Sequence, residues 1–319
     1  MNPNLKFRNL DLAQIDFDDF SYSISPEREI VLDNKLNASI SRHGILHPPV
    51  VREINSDTYN IVAGRKRLLS FRSRQTENTC TCLIISRQLP EVEVFSILLE
   101  EIQLSREVTI IEKAIFLQKM RAITDEKQII GEFLPRLGLE PDSFSLKKNL
   151  KLLDLEDQIL LAIHQGQITG SVAHDFILLS PQDRMTLLKI IKSLRLSVSF
   201  QKKLLHMCRE LASRDNTSIT SLLDNDEMHG ILHHQDANPP QKTKNLMLWL
   251  SRKLMPRSSQ AAEEFKRFIT AMQLPQNVSI EHTPFFEDDS IILSISYPNR
   301  KSLQNAWEKI RDTIQNNGN

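Results

Sequence analysis

The sequence predicts an α+β fold in three parts: a small mixed N-terminal domain, a mostly helical middle domain containing a helix-turn-helix, and a small α+β module at the C-terminal end. Three observations carry this. The first third interleaves short β-branched runs with helical periodicity. Residues 90–211 are helical almost throughout, interrupted at Gly131, Pro135, Gly138, Pro141, Gly166, Gly170 and Pro181. Residues 290–310 read as strand, turn and helix, with Ser302 placed to cap the helix.

Taken in order, residues 1–27 read as an N-terminal extension and residues 28–120 as the mixed domain. Residues 30–43 carry apolar side chains at 32, 36 and 40, the spacing of one helix face, and Gly44 ends that helix. Pro49-Val50-Val51-Arg52-Glu53-Ile54 and Tyr59-Asn60-Ile61-Val62-Ala63 flank the turn-forming Asn55-Ser56-Asp57-Thr58 and predict a hairpin, with Leu83-Ile84-Ile85 as a third strand. Residues 121–213 form the helical domain. Residues 214–244, with Asn216, Asp224-Asn225-Asp226, His233-His234 and Pro239-Pro240, read as a polar linker. Residues 245–319 form the last module, with a helix over 246–272 bent or broken at Pro256.

Composition narrows the class. The chain has 319 residues, 40% hydrophobic and 25% charged, which sets aside disordered, fibrous and disulfide-built proteins. No apolar run approaches the roughly 20 residues that a bilayer span requires, and the first residues lack the order of a signal peptide, so a cytoplasmic protein with no membrane partner is expected. Cys80, Cys82 and Cys208 are too few and wrongly spaced for a disulfide framework or zinc knuckle and are expected to be reduced. Forty basic residues balance forty acidic ones, yet two islands hold cations alone: Arg65, Lys66, Arg67, Arg72 and Arg74, and then Arg184, Lys189, Lys192, Arg195, Lys202, Lys203 and Arg209.

In Ile61-Val62-Ala63-Gly64-Arg65-Lys66-Arg67 a strand ends at a glycine and three cations begin the next helix. Glycine permits close backbone approach, the helix N-terminus offers unpaired N–H groups, and cations there oppose the helix dipole unless an anion compensates them. A di- or triphosphate fits that pattern; a solvated basic first turn is the alternative.

These residues resemble the ParB family of chromosome-partition proteins. Gly44-Ile45-Leu46-His47-Pro48 resembles its Gly-Ile-Ile-Gln-Pro box, and Gly64-Arg65-Lys66-Arg67 its Gly-Glu-Arg-Arg box. Residues 100–106, beginning Glu100-Glu101 and ending at Arg106, resemble its Glu-Asn-x-x-Arg element, and Ile111-Glu112-Lys113-Ala114 its Ile-Glu-x-Ala helix. The resemblance covers about residues 28–211, with a weaker echo over 278–310, and implies an N-terminal domain of the ParB-like or sulfiredoxin-like type. It implies CTP with magnesium: Gly44, His47, Pro48, Gly64, Arg65, Lys66, Arg67 and Arg106 on the nucleotide, Glu100 and Glu101 on Mg2+. His47, Arg65 and Glu101 replace the family's usual Gln, Glu and Asn, so nucleotide binding is expected to outlast any CTP hydrolysis, and no catalytic residue is assigned. A solvated glutamate pair remains the alternative for Glu100 and Glu101.

Residues 128–153 have the outline of a helix-turn-helix. Asp142 or Ser143 is placed to cap the second helix; Ser143, Ser145, Lys147, Lys148 and Lys151 then offer groups to DNA while Phe144, Leu146, Leu150 and Leu153 pack inward. In the ParB family this is the DNA-reading motif. Pro135 and Pro141 depart from it, and a helical hairpin with a lysine-rich face is the alternative. From the second basic island Lys189, Lys192, Arg195, Lys202 and Lys203 are assigned to double-stranded DNA.

The resemblance further implies a nucleoid-associated homodimer joined through the C-terminal module, and a partition ATPase as partner. Docking of that module within one chain is the alternative to dimerisation. Other readings of the same N-terminal fold are a nucleotide-dependent nuclease or phosphotransferase, and an interaction protein with both sites degenerate. Sulfiredoxin chemistry needs a cysteine beside the phosphate loop, and residues 63–67 contain none. His229, His233, His234 and Asp236 lie in the turn-rich segment and are not assigned to a metal.

Overall fold

The computed structural model describes residues 5–27, 32–74, 78–282 and 290–316. The chain divides into two compact units, residues 1–202 and 203–319.

The first unit opens with β1 (Leu5–Asp11), a short 3-10 turn (Leu12–Gln14) and β2 (Ile15–Asp16), followed by α1 (Asn34–His43), β3 (Val50–Asn55), β4 (Thr58–Ala63), α2 (Arg65–Arg72) and β5 (Thr79–Ile85). The strands form one sheet in the order β1-β5-β3-β4-β2. β3 and β4 make the expected hairpin, β3 runs parallel to β5, β1 runs antiparallel to β5, and β2 lies parallel to β4. The segment read as an N-terminal extension thus contributes two strands of the sheet, β1 and β2, between residues 5 and 16. β1 is an edge strand whose side chains are mostly exposed, so it lacks the apolar alternation that marks a half-buried strand.

Both sheet faces are covered. Val51, Tyr59, Ile61, Cys80, Cys82 and Ile84 pack with Ile40 of α1 and with Leu68 and Phe71 of α2. Val50, Val62, Ala63 and Ile85 face the other way, toward Val94, Phe95, Leu98 and Leu99 of α3 (Glu91–Ser105). That core continues through α4 (Ile110–Arg121) into the helix-turn-helix: ring centroids run Tyr22–Phe95 at 5.5 Å, Phe95–Phe116 at 6.0 Å and Phe116–Phe133 at 5.7 Å. The expected boundary at residue 120 falls inside this shared core, where Phe116, Leu117 and Met120 pack with Ile129, Phe133, Leu134 and Leu146. All three cysteines are buried thiols.

The helix-turn-helix begins with α5 (Glu126–Gln128), a π-helical turn (Ile129–Phe133) and α6 (Leu134–Arg136), followed by α7 (Ser143–Leu150) and a 3-10 turn (Lys151–Asp154). Pro135 has no N–H to donate and its ring crowds the preceding turn, a conflict that the wider π turn relieves. Asp142 caps α7 through Ser145 N–H at 2.6 Å. Leu146 is buried, but Phe144 is 74% exposed, so the expectation that it packs inward fails. Two residues before Leu146 on a helix of 3.6 residues per turn, it points to the opposite face. α8 (Asp157–His164), α9 (Gly170–Phe176) and α10 (Pro181–Leu194) complete the unit, and α11 (Val198–Arg214) crosses into the second.

In the second unit the expected linker is folded. α12 (Ile219–Leu223), α13 (Asp226–His233) and α14 (Pro239–Leu254) bury Ile219, Leu223, Met228 and Thr243. Of the polar residues that suggested turns, Asn225 is a helix cap, accepting from the Met228 backbone N–H, and Ser218 and Asn238 cap α12 and α14 in the same way through Ser221 and Gln241. His229 pairs with Asp224 at 2.9 Å. α14 breaks at Met255 before α15 (Pro256–Ala271), as the proline predicts. β6 (Val278–His282) and β7 (Ile291–Ile295) pair antiparallel and precede α16 (Arg300–Asn316). Among the described residues no helix is long and apolar enough to cross a membrane.

Candidate nucleotide pocket and nucleic-acid face

The Gly64 loop forms because β4 ends where the chain must turn back over the sheet. Gly64 makes that turn at φ 87°, a left-handed conformation, and becomes the N-cap residue of α2. A Cβ at this position would lie 2.9 Å from the Pro49 ring and from the Arg67 guanidinium. Gly64→Ala is therefore expected to lower stability by about 1–3 kcal/mol through backbone strain and that contact, read as a lowered midpoint of thermal unfolding.

Beside Gly64 lies a cavity of about 340 Å³, within the range of small-ligand sites. One wall is the predicted loop: Ala63, Gly64, Arg65, Lys66 and Arg67. α3 and the turn after it supply Glu101, Ser105 and Arg106, and α4 supplies Glu112. The remaining wall, Tyr22, Ser23, Ile24, Ser25 and Glu27, escaped the sequence reading because it lay in the supposed extension. Ser-Tyr-Ser-Ile-Ser alternates apolar with hydroxyl residues, and that was the signal available.

Three of the four cations lining the cavity are each matched by an acid. Lys66 Nζ lies 3.8 Å from Glu27, Arg67 Nη2 2.9 Å from Glu101, and Arg106 Nη2 2.5 Å from Glu112. Glu112 is 1% exposed. Burial pushes its carboxyl up, but the Arg106 guanidinium and the Thr109 N–H outweigh burial and hold it below the usual carboxylate range. The Arg67 guanidinium also donates to the His47 carbonyl at 2.5 Å, so His47 shapes the site through its backbone.

Several predicted residues stand elsewhere. Gly44 ends α1, and neither it, His47 nor Pro48 lines the cavity. Arg65 does line the cavity, but its guanidinium donates to the carbonyls of Phe17 and Asp19 and lies over the Phe20 ring. Burial lowers its pKa against the raising influence of Asp19, Asp16 and Asp18. Its part is to tie the segment before Tyr22 to the Gly64 loop. Lys119 reinforces that tie by donating to the Ser21 carbonyl at 2.7 Å.

The expected metal pair is split. Glu101 faces the cavity, whereas Glu100 pairs with Arg136 at 3.1 Å, because consecutive helical residues point about 100° apart. Among the described residues no group of three or more His, Cys, Asp or Glu is placed to hold a metal ion.

On the helical side, Lys147, Lys148 and Lys151 are exposed. Ser143 donates to Glu126 at 3.1 Å, and the Ser145 backbone serves the cap. Lys189, Lys192 and Arg195 are exposed on and just after α10, and Lys202 and Lys203 are exposed on α11. Arg184, counted in the second basic island, is buried and pairs with Glu156 at 2.9 Å. A buried charge needs a partner, so it adds nothing to a DNA-facing surface.

Comparison with known proteins agrees with this geometry. A model of the ParB N-terminal domain matches residues 6–101, from β1 to the carboxylate that meets Arg67. The match begins inside the segment read as an extension, as the sheet requires. A nucleoid occlusion protein of Lysinibacillus sphaericus is 31% identical over 148 residues, covering 46% of this chain and 47% of that protein. One of Oceanobacillus iheyensis is 27% identical over 200 residues, covering 57% of this chain and 68% of that protein. The chain spans about half the length of most of the curated relatives that it matches. A solved structure of Caulobacter crescentus ParB, C-terminally truncated and complexed with CTP-gamma-S, shares 20% identity, covering 58% of this chain and 98% of that one with a TM-score of 0.24.

Proposed function

We propose that this chain is a DNA-binding protein of the ParB type whose N-terminal domain binds CTP as a regulatory ligand. The observation that carries the reading is the self-paired cavity: Lys66, Arg67 and Arg106 converge beside the left-handed Gly64 and the N-terminus of α2, each held by a single carboxylate. A triphosphate would exchange those three intramolecular pairs for charge-assisted bonds to its own oxygens, adding the N–H groups of the helix terminus. The segment carrying Tyr22, Ser23, Ile24 and Ser25 offers hydroxyl and backbone groups for a base or ribose. Magnesium takes carboxylate and phosphate oxygens together, and Glu101, released from Arg67, is the acid positioned for it; Glu100 is not.

Double-stranded DNA is assigned to the lysine face of α7 and to the cations of α10 and α11, which supports the nucleoid setting in the names of the relatives. In the C-terminal module Ile291, Ile292, Leu293, Leu303 and Trp307 are all exposed. A two-stranded sheet with one helix is marginal alone, and an apolar surface of this kind supports a homodimer formed through it. A partition ATPase belongs to the same reading as a partner of that dimer, in the cytoplasm at the nucleoid.

Calorimetric titration with the four nucleoside triphosphates tests the ligand: CTP is expected to bind at micromolar concentration in preference to the others, and equal or absent binding overturns the assignment. Glu101→Gln separates the two parts of that carboxylate. Without magnesium the variant is expected to bind CTP several-fold more tightly, since Arg67 loses a competitor; with magnesium it is expected to lose the metal-dependent gain. Unchanged affinity in both conditions would remove Glu101 from the site.

A further inference from the structure

One exposed stripe running along α7 into the 3-10 turn that follows it combines an aromatic ring with lysines. Phe144, Lys147, Lys148 and Lys151 follow one another at i, i+3, i+4 and i+7 and are all exposed, while Leu146 and Asn149 are buried on the opposite side. Phe144 stands in the first turn, immediately before Ser145, whose N–H donates to the Asp142 cap, and presents 74% of its surface to solvent. Leu146 turns inward in the same turn, so the outward placement of the ring follows from the phase that the cap gives the helix.

A large apolar ring at the leading end of a lysine stripe suits one kind of surface: a polyanion that also exposes apolar groups between its charges. The major groove of DNA is such a surface, with phosphates along its edges and the thymine C5-methyl on its floor. A recognition helix meets base edges with its N-terminal residues and phosphates with those further along, which is the order of Phe144 and then Lys147, Lys148 and Lys151. We propose that Phe144 is a specificity-determining residue that packs against a thymine methyl group in the major groove, with the three lysines holding the flanking phosphates. The inference rests on the DNA-binding reading above and deepens it by naming the base contact.

The test begins with duplexes selected by the full wild-type chain from a random library. Each thymine of the selected site is then replaced singly by deoxyuridine, which removes the methyl and leaves base pairing intact. Wild-type protein is expected to lose about fourfold in affinity at one thymine position, the value of burying one methyl group. Phe144→Ala is expected to bind the thymine and deoxyuridine duplexes alike at that position, and Phe144→Leu to keep part of the discrimination. Thermal unfolding of both variants should stay close to wild type, because the ring is mostly exposed. Lys148→Ala serves as the contrast: weaker binding to every duplex, with a shallower salt dependence and the methyl preference intact. If wild type binds DNA but no thymine is sensitive, or if Phe144→Ala keeps the same sensitivity, the inference falls while the DNA reading stands. Absence of DNA binding by the wild-type chain overturns both.

Discussion

Phe116→Ala is expected to destabilise the first unit by about 3–5 kcal/mol. Phe116 is fully buried in the middle of the aromatic row that runs from Tyr22 through Phe95 to Phe133. Removing the ring leaves a void between the sheet-packing helix α3 and the π turn of the helix-turn-helix, with rigid neighbours that cannot collapse into it. Because this core is shared, nucleotide and DNA binding are expected to fall together as the unit unfolds. Urea unfolding followed by near-ultraviolet circular dichroism would measure the loss; a cost under about 1 kcal/mol would show that the two parts do not depend on one another.

Arg106→Ala is expected to be the costliest change in the cavity, about 3–5 kcal/mol, because it strands a carboxylate that is almost wholly buried. Glu112→Gln is expected to cost less, about 1–3 kcal/mol, since Arg106 has a side chain half exposed and can return to water. The pair also gives the protein a pH signature. The folded-state pKa of Glu112 lies below its ordinary value, so its contribution is complete above the unfolded value of about 4.3 and disappears as pH falls through the folded one. The stability difference between wild type and Glu112→Gln should therefore be constant near neutrality and shrink below about pH 4. A difference that stays constant to low pH would mean that Glu112 is not ionised in the folded protein.

What could be read from the sequence was whatever depends on residues close together in the chain. The β3–β4 hairpin, the end of α1 at Gly44, the glycine before the cationic turn of α2 and the cap of α7 all follow from side chains within a few positions of one another. The same locality misled where one signal has two meanings: Ser218, Asn225 and Asn238 suit turns and helix caps alike, and only the buried Ile219, Leu223 and Met228 show that they are caps. Phe144 failed for a related reason, since the apolar residues of a short helix do not announce which of them faces inward.

The sequence by itself determined the cationic loop at Gly64 and the order of the motifs around it, because these are encoded in chain order and local backbone preference. Only the tertiary structure decided what the loop faces. Parallel pairing of β2 with β4 carries Tyr22 to Glu27 across to the loop, and the angle between successive residues of α3 sends Glu101 toward Arg67 while Glu100 goes to Arg136. Charge partners and cavity walls are set by strand pairing and helix phase across distant parts of the chain, where local spacing carries no information.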